Sequence, residues 1–573
     1  VVRKFDREKV WPSGHHHRCY RNKATSDYFI CGRRGVEFIG LENDRVVHDW
    51  WIRGICQYGI MPANGLLYVP PDPCRCFSNI KLNGLFSFTS GDSGLSAKEP
   101  ALVKGPVYSS VQRTSEAASK ERGISAANSS PSSWPTYRHD PQRSGFTSAD
   151  MPHVLVKGWE TSFDGPITAT TVADGAVFLA EIDAHKVHCL ESGTGRARWT
   201  FVVGSRVDSP PTIYGELAIF GCRDGWVYAL RTADGELAWK FRAAPAERFI
   251  VEDGHLESSW PVSGSVLVVD NIVYFSAGRS TYLDGGIIMY GLDPNTGRQI
   301  HKRNLTSPTV SKSQGSPGKS GSALPALLCS NGNTISMRTN HFGKDLESSK
   351  RSGGHSLIAD TGFLNDSWFH RSNWSVAGGG NPSWGKLIVF NDQRAFGVQN
   401  PYTYIKRTPG LWHEGQRGHH HQQYALYEES RFPRGVRVYA QPLAVDAKIK
   451  PQPVATTDRK DFKRWERASQ SSTEHHLWTH MFPMQIRAMV LAGDTLLAAG
   501  WRDSRETSEN AAELPNDDLQ QTPALYIVNA ENGIATRGYE LPERPVFDGM
   551  AAAEGRLFIS LANGTLICFK GKK

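Results

Sequence analysis

The segments VHCLESGTGRARWTF (187–201) and VYALRTADGELAWKF (227–241) align without a gap, forty residues apart. Each holds an alternating apolar strand, a turn at Gly195 or Gly235, and a second strand carrying Trp199 or Trp239. The repeat extends upstream to GAVFLAEIDAHKVHCLESGTGRARWTF (175–201) and GELAIFGCRDGWVYALRTADGELAWKF (215–241). A third copy, 271–300, inserts residues before its second strand but keeps the turn that ends at Gly297. Degenerate copies occupy 494–537 and 555–570, and the stretches 28–51 and 64–88 have the same strand–turn–strand rhythm.

A unit of about 40 residues with about four strands is the mark of a β-propeller blade. Alternation at period two gives each strand one face toward the neighbouring blade. A lone blade cannot bury both faces, so the core must come from stacking blades around an axis. The Gly residues supply turns that need positive φ. The tryptophans are expected to fill the space between blades. The fold class expected is all-β: a propeller of about seven to eight four-stranded blades with long inserted loops.

Composition shifts divide the chain further. Residues 1–89 read as N-terminal blades, 90–133 as a Ser/Ala-rich linker or loop, and 134–306 as regular repeat blades. Residues 307–480 read as degenerate blades with long polar insertions, and 481–573 as C-terminal blades. The ends raise a question of closure. VVRKFD (1–6) resembles the strand after a Gly turn, and GTLICFKGKK (564–573) resembles the strand before one. Either the two pair and close the ring, or upstream blades precede this sequence. The second reading is preferred, because a terminus beginning in mid-strand is unusual.

The formal charge of +8 is modest for 573 residues and there is no long Lys/Arg run, so nucleic-acid binding is not indicated. No stretch approaches about 18 consecutive apolar residues, the length of a membrane-spanning helix. Nine cysteines include Cys19, Cys31, Cys56, Cys74 and Cys76 near the start; the other four lie singly on later strands. Strand cysteines usually behave as small buried hydrophobes, and the pairing of the first five is not readable from sequence.

The repeat V-Y-A-L-x-x-x-x-G-x-x-x-W-x-F resembles the PQQ-like β-propeller repeat, shared by quinoprotein dehydrogenases and the envelope scaffold lipoprotein BamB. Further blocks resemble large PQQ-like repeat proteins of planctomycete-type bacteria. They include HHHRCYRNKAT (15–25), WPTYRHDPQRSG (134–145), RVDSPPTI (206–213), SAGRSTYLDGGI (276–287) and LNDSWFHRSNW (364–374). The resemblance implies the fold and an envelope or periplasmic setting, and it leaves two functions open: a scaffold, or a dehydrogenase using PQQ with Ca²⁺.

In quinoprotein dehydrogenases the cofactor lies in the central funnel, stacked on a Trp and capped by adjacent cysteines. A Ca²⁺ there is held by Glu, Asn and Asp. This sequence has no adjacent Cys pair, the nearest being Cys74-Arg75-Cys76, and no CxxCH haem motif. The string GDSG (91–94) matches the surroundings of a serine-protease nucleophile but sits in the Ser-rich stretch without His and Asp partners.

Three groups of residues are candidates for a site. Arg206, Asp208, Glu257, Arg279, Tyr282 and Asp284 flank strand starts or turns, where they serve either inter-blade ion pairs or a polar ligand at the funnel mouth. Asp366, Trp368, His370 and Arg371 combine aromatic and charged groups suited to sugar or peptide recognition. His15, His16, His17 and Cys19 with Cys74 and Cys76 have soft metal-binding chemistry, although their spacing matches no standard zinc pattern. The function expected is a non-catalytic binding or scaffold protein of the cell envelope, holding a protein or small polar ligand at the propeller axis or rim. The alternatives are a quinoprotein-type oxidoreductase and a carbohydrate-binding or carbohydrate-acting propeller.

Overall fold

The computed structural model describes residues 21–71, 82, 84–89, 101–114, 132–307, 324–359, 374–377, 383–399, 436–443, 476–503 and 521–572, apart from 33–34, 44, 50, 53, 55–57 and 483. Among the described residues eight sheets, antiparallel apart from one short parallel pairing in blade 7, follow one another around a ring: blade 1 (171–202), blade 2 (212–242), blade 3 (267–305), blade 4 (328–342), blade 5 (356–385), blade 6 (387–482), blade 7 (484–540) and blade 8 (545–571). The innermost strands of neighbouring blades pack in that order, and blade 8 returns to blade 1. The protein is a β-propeller. Its buried apolar clusters bridge successive blades: one joins blades 1 and 2, another blades 2 and 3, another blades 3 and 4. The alternation legible in the sequence is thus spent on blade-to-blade contact.

The repeated Trp and Gly form one device. The indole Nε1 of Trp159, Trp199, Trp239 and Trp478 donates to Ser192 O, Thr232 O, Pro294 O and Ala530 O, at 2.8–3.0 Å. In each case the acceptor belongs to the turn of the next blade, and the ring lies against Gly195, Gly235, Gly297 or Gly533 of that turn. A side chain on the glycine would occupy the space of the indole. A register shift recurs just before each of these turns, at Cys189/Leu190, Ala229/Leu230, Gly291/Leu292 and Ile527/Val528. Such bulges bend the outer strand and sharpen its twist.

The C-terminal strand Thr565–Gly571 lies between Arg556–Leu561 and Leu155–Ser162, so both its edges are filled and Leu155–Ser162 is the closing strand. The segment 1–6, the less favoured candidate for that pairing, lies outside the described residues. Residues 1–89 were expected to supply blades. Those described instead form a four-stranded sheet (23–49) and a three-stranded sheet (61–89) outside the ring. Their shared apolar cluster receives Tyr282 and Leu283 of blade 3.

The stretch 90–133, expected as a linker, contains a strand, Ala101–Lys104, that adds a fifth member to blade 2 by pairing with Leu237–Arg242. A helical turn over 108–114 follows, burying Tyr108 and Val111 against blades 2 and 3. The short apolar run of ALVK fills an open sheet edge, and the linker composition around it conceals it. No helix among the described residues is long and apolar enough to cross a membrane.

The segment 132–147 was expected, from Trp134 on, at the start of the regular blades, but only its last two residues, Phe146–Thr147, join a blade, as a short parallel strand of blade 7. It crosses the ring axis and is tied to all eight. Ser132 O accepts from Glu554 N of blade 8, and Trp134 exchanges both backbone bonds with Val172 of blade 1. Pro135 O accepts from Ile213 N of blade 2, Pro141 O from Ser330 N of blade 4 and Gln142 O from Leu357 N of blade 5. Ser144 O and Gly145 O accept from Phe390 N of blade 6 and Leu491 N of blade 7. Blade 3 is reached by a side chain: Arg143 Nη2 donates to Val266 O at 3.0 Å.

Candidate functional site

The axial segment closes the ring from one side, and above it lies a cavity of about 380 Å³. Tyr137 of the axial segment and Trp374 of blade 5 contribute aromatic surface to it. Arg138, beside Tyr137, lies over the Trp374 ring at 4.9 Å and pairs with buried Asp548 at 2.7 Å. Phe547 meets Trp374 edge-on at 5.3 Å. Ile167, Pro210, Leu327 and Val546 supply apolar wall. Asp183, Arg206, Asp208, Arg487 and Arg544 supply charge. Lining residues come from six blades or the connections between them, as only an axial position allows.

Four of the predicted residues meet in one buried ion network. Glu257 is fully buried and receives Arg206 Nη2 at 2.5 Å, Arg223 Nη1 at 2.8 Å and Arg279 Nη2 at 2.8 Å. Burial pushes its carboxyl upward, but Arg223 and Arg279 outweigh that and hold it below the ordinary value. Asp208 accepts Gly264 N at 2.9 Å through Oδ1. Its Oδ2 has no hydrogen bond and stands 3.5 Å from Arg223 Nε. Burial therefore raises Asp208 despite the nearby guanidinium. Arg279 reaches Glu252 at 3.4 Å as well. Glu252 and Glu257 sit on a hairpin, Phe249–Glu252 and His255–Ser258, inserted between blades 2 and 3. The network fastens that hairpin to the blades.

Tyr282 and Asp284 do not join it. Tyr282 stacks on Trp51 of the N-terminal sheets at 5.9 Å and 11°. Asp284 pairs with Arg248, whose guanidinium lies 4.8 Å over Trp260. Both residues hold neighbouring parts to blade 3. Asp366, Trp368, His370 and Arg371 lie outside the described residues, as do His15, His16, His17, Cys19, Cys74 and Cys76. Trp374, which ends the same aromatic string, does line the cavity. Sequence reasoning missed Tyr137, Arg487, Arg544 and Phe547. Only Tyr137 carried a signal, since WPTYRHDPQRSG stood out as a block unlike a blade strand.

The residues of this cavity do not fit PQQ with Ca²⁺. Of the described residues, two carboxylates line it, Asp183 and Asp208, with no cysteine. Among the described residues no group of three or more His, Cys, Asp or Glu is placed to hold a metal. Asp208 already spends one oxygen on a backbone amide, and a hard divalent cation calls for several oxygen ligands at once.

Residues 150–364 match the family model described as outer membrane protein assembly factor BamB. No match is found among curated proteins. Solved structures that resemble the chain include BamB from Moraxella catarrhalis, at 11% identity and TM-score 0.39, covering 73% of this chain and 100% of that one. Another is the quinohemoprotein alcohol dehydrogenase from Comamonas testosteroni, at 12% identity and TM-score 0.43, covering 81% and 84%. A europium-containing methanol dehydrogenase aligns at 10% identity and TM-score 0.41, covering 77% and 98%. With its repeated strand, Gly turn and docked Trp, the chain is a β-propeller, and its residues 150–364 match the BamB family model.

Proposed function

We propose that the protein is a non-catalytic binding scaffold of the cell envelope, and that it binds through the face on which the axial cavity opens. The observation that carries this reading is the division of labour between the two sides of the axis. One side is sealed by 132–147, bonded to every blade. The other side carries the cavity and the hairpin of residues 249–258. That hairpin exposes Phe249, Val251 and Leu256, with Val251 directly opposite Leu256. Side chains this apolar on one exposed ribbon suit contact with a partner. The envelope setting rests on the family model's description as an outer-membrane assembly factor.

Two measurements test this. Purified protein incubated with PQQ and Ca²⁺ is expected to gain neither a bound chromophore nor dye-linked alcohol or sugar oxidation; either gain would favour the oxidoreductase. Crosslinking in an envelope extract is expected to recover a discrete partner in stoichiometric amount. Replacing Val251→Asp and Leu256→Asp together should abolish that recovery while the thermal midpoint stays unchanged.

A further inference from the structure

Blades 1 and 2 share one repeat, so the positions at which they differ are not dictated by the fold. Glu181, His188 and Thr200 of blade 1 correspond, forty residues on, to Gly221, Tyr228 and Lys240 of blade 2. In blade 1 the three lie on consecutive strands, Ala176–Glu181, Lys186–Glu191 and Ala197–Val202. Thr200 Oγ1 stands 2.9 Å from His188 Nδ1, and His188 Nε2 stands 3.2 Å from Glu181 Oε2. A carboxylate only accepts, so the neutral imidazole carries its proton on Nε2, and Nδ1 accepts from the Thr200 hydroxyl. Hydroxyl, imidazole and carboxylate form a relay of the kind that activates a nucleophile.

The relay runs from the inside of the blade to its surface. Glu181 and His188 are buried, and Thr200 is exposed. Burial holds His188 below its ordinary value against the opposing pull of Glu181, which leaves it an unprotonated base at neutral pH. Lys186, 3.8 Å from Glu181, is the other charged group acting on it, and Phe163 packs on its ring at 4.8 Å. Val203 N donates to His185 O, and the alternation of the ladder then points the Thr200 N–H away from its partner strand. Ala197–Val202 is the edge of blade 1. In blade 2 the corresponding edge is covered by Ala101–Lys104, which sets Val103 against Lys240. Blade 1 has no such fifth strand among the described residues, so the Thr200 N–H faces outward beside its own hydroxyl. A donor in that place can stabilise the oxygen of a carbonyl under attack. Val202, on the same face and 64% exposed, gives an acyl chain an apolar neighbour.

We propose that Thr200 is a covalent modification site that takes an acyl group from a thioester or other activated ester. The Thr200 oxygen bonds to the carbonyl carbon, and its proton passes to His188 Nδ1. The bond from that carbon to the leaving sulfur or oxygen then breaks, and the departing thiolate or oxyanion takes the proton from His188. The products are a Thr200 ester and a free thiol or alcohol, with nothing oxidised or reduced. Glu181 acts through His188, fixing its tautomer and offsetting the charge it gains. His188 is buried and the acylated oxygen covers its Nδ1, so no water is activated there and the ester persists. None of the three residues lines the axial cavity, so the modification is independent of what that face binds.

The probe is p-nitrophenyl acetate, mixed with the full chain at neutral pH and followed by p-nitrophenolate release and by mass spectrometry of peptides. A burst equal to the amount of protein is expected, with the acetyl group on Thr200 and no steady release after it. The burst rate should rise with pH through a midpoint below the ordinary histidine value and then level off. Thr200→Ser should keep the burst and Thr200→Val abolish it; Thr200 is exposed, so these variants keep the test valid even where changes at the buried residues compromise folding. His188→Gln should slow the burst by at least about a hundredfold. Glu181→Gln should slow it and also move the pH midpoint down, since Glu181 favours the protonated imidazole. The proposal is overturned if no acetyl group is found on Thr200, if it is found on Lys186 instead, if Thr200→Val bursts as wild type does, or if release continues steadily after the burst.

Discussion

Trp199 of blade 1 donates its indole N–H to Thr232 O of blade 2 at 2.8 Å while its ring rests on Gly235 of the same turn. The contact joins one polar and one steric requirement across a blade boundary. Gly235 has φ of 77°, and a Cβ added there would stand 2.6 Å from the Trp199 ring. Gly235→Ala should therefore combine left-handed strain with overpacking and cost about 2–4 kcal/mol. Gly215 is the control: its φ is 56°, but a Cβ there meets nothing within 4 Å. Gly215→Ala should cost only about 1 kcal/mol. Denaturation midpoints of the two variants, compared with wild type, check the difference; equal shifts would mean that the indole is not held against the glycine.

The axial segment should be indispensable through Arg143. Its side chain is fully buried and donates to Leu328 O at 3.1 Å, Thr136 Oγ1 at 2.7 Å, Tyr137 O at 2.8 Å and Val266 O at 3.0 Å. Burial pulls its pKa down to about 10, which still leaves it charged at neutral pH. Arg143→Met strands several buried carbonyls at once, with a loss on the order of 4 kcal/mol or more. Arg143→Lys should recover little of this, since an ammonium cannot span the same acceptors. The check is the yield of folded protein and its thermal midpoint.

Removing Glu257 should expose whether its network is structural. Glu257→Gln leaves Arg206, Arg223 and Arg279 without their common partner, a loss of about 3–5 kcal/mol. Because its folded pKa lies below the ordinary carboxylate value, its contribution is present above that value and fades as pH falls through the folded one. The variant should accordingly lose less stability than wild type on acidification. Parallel acid-denaturation curves for the two proteins would contradict this.

Asp49 should act in the opposite direction. Burial, only partly offset by Trp51, raises it from an ordinary 3.8 to about 6. The N-terminal sheet is then favoured below the ordinary value, and that contribution is lost as pH rises through about 6. Hydrogen-exchange protection of Tyr28–Cys31 and Val36–Gly40, corrected for intrinsic exchange rates, should fall between about pH 4 and pH 7. In Asp49→Asn it should stay level across that window, and a parallel fall in the variant would remove Asp49 as the cause.

The blade was legible in the sequence because everything that defines it is local. Strand alternation, the Gly turn and the Trp on the following strand all fall within forty residues, and each follows from sterics that act between near neighbours. The role of Trp199 and Trp239 as packing residues followed from the same spacing. The candidate site was legible only in part: Arg206, Asp208, Glu257 and Arg279 stood out as excess charge beside strands, and they do meet. That they mostly satisfy one another was a matter of inter-blade distance, which no spacing encodes.

Tertiary structure alone chose the closing strand, since nothing local to Leu155–Ser162 marks it as the partner of Thr565–Gly571 at the far end of the chain. It also turned 132–147 from an unplaced block into an axial pin, through bonds to residues as far away as Glu554. The cavity arises the same way: Asp208 and Arg544 lie far apart in the sequence and share it because the ring closes. Local sterics therefore determined the blade, whereas the seal, the closure and the site depend on how eight blades meet at one axis.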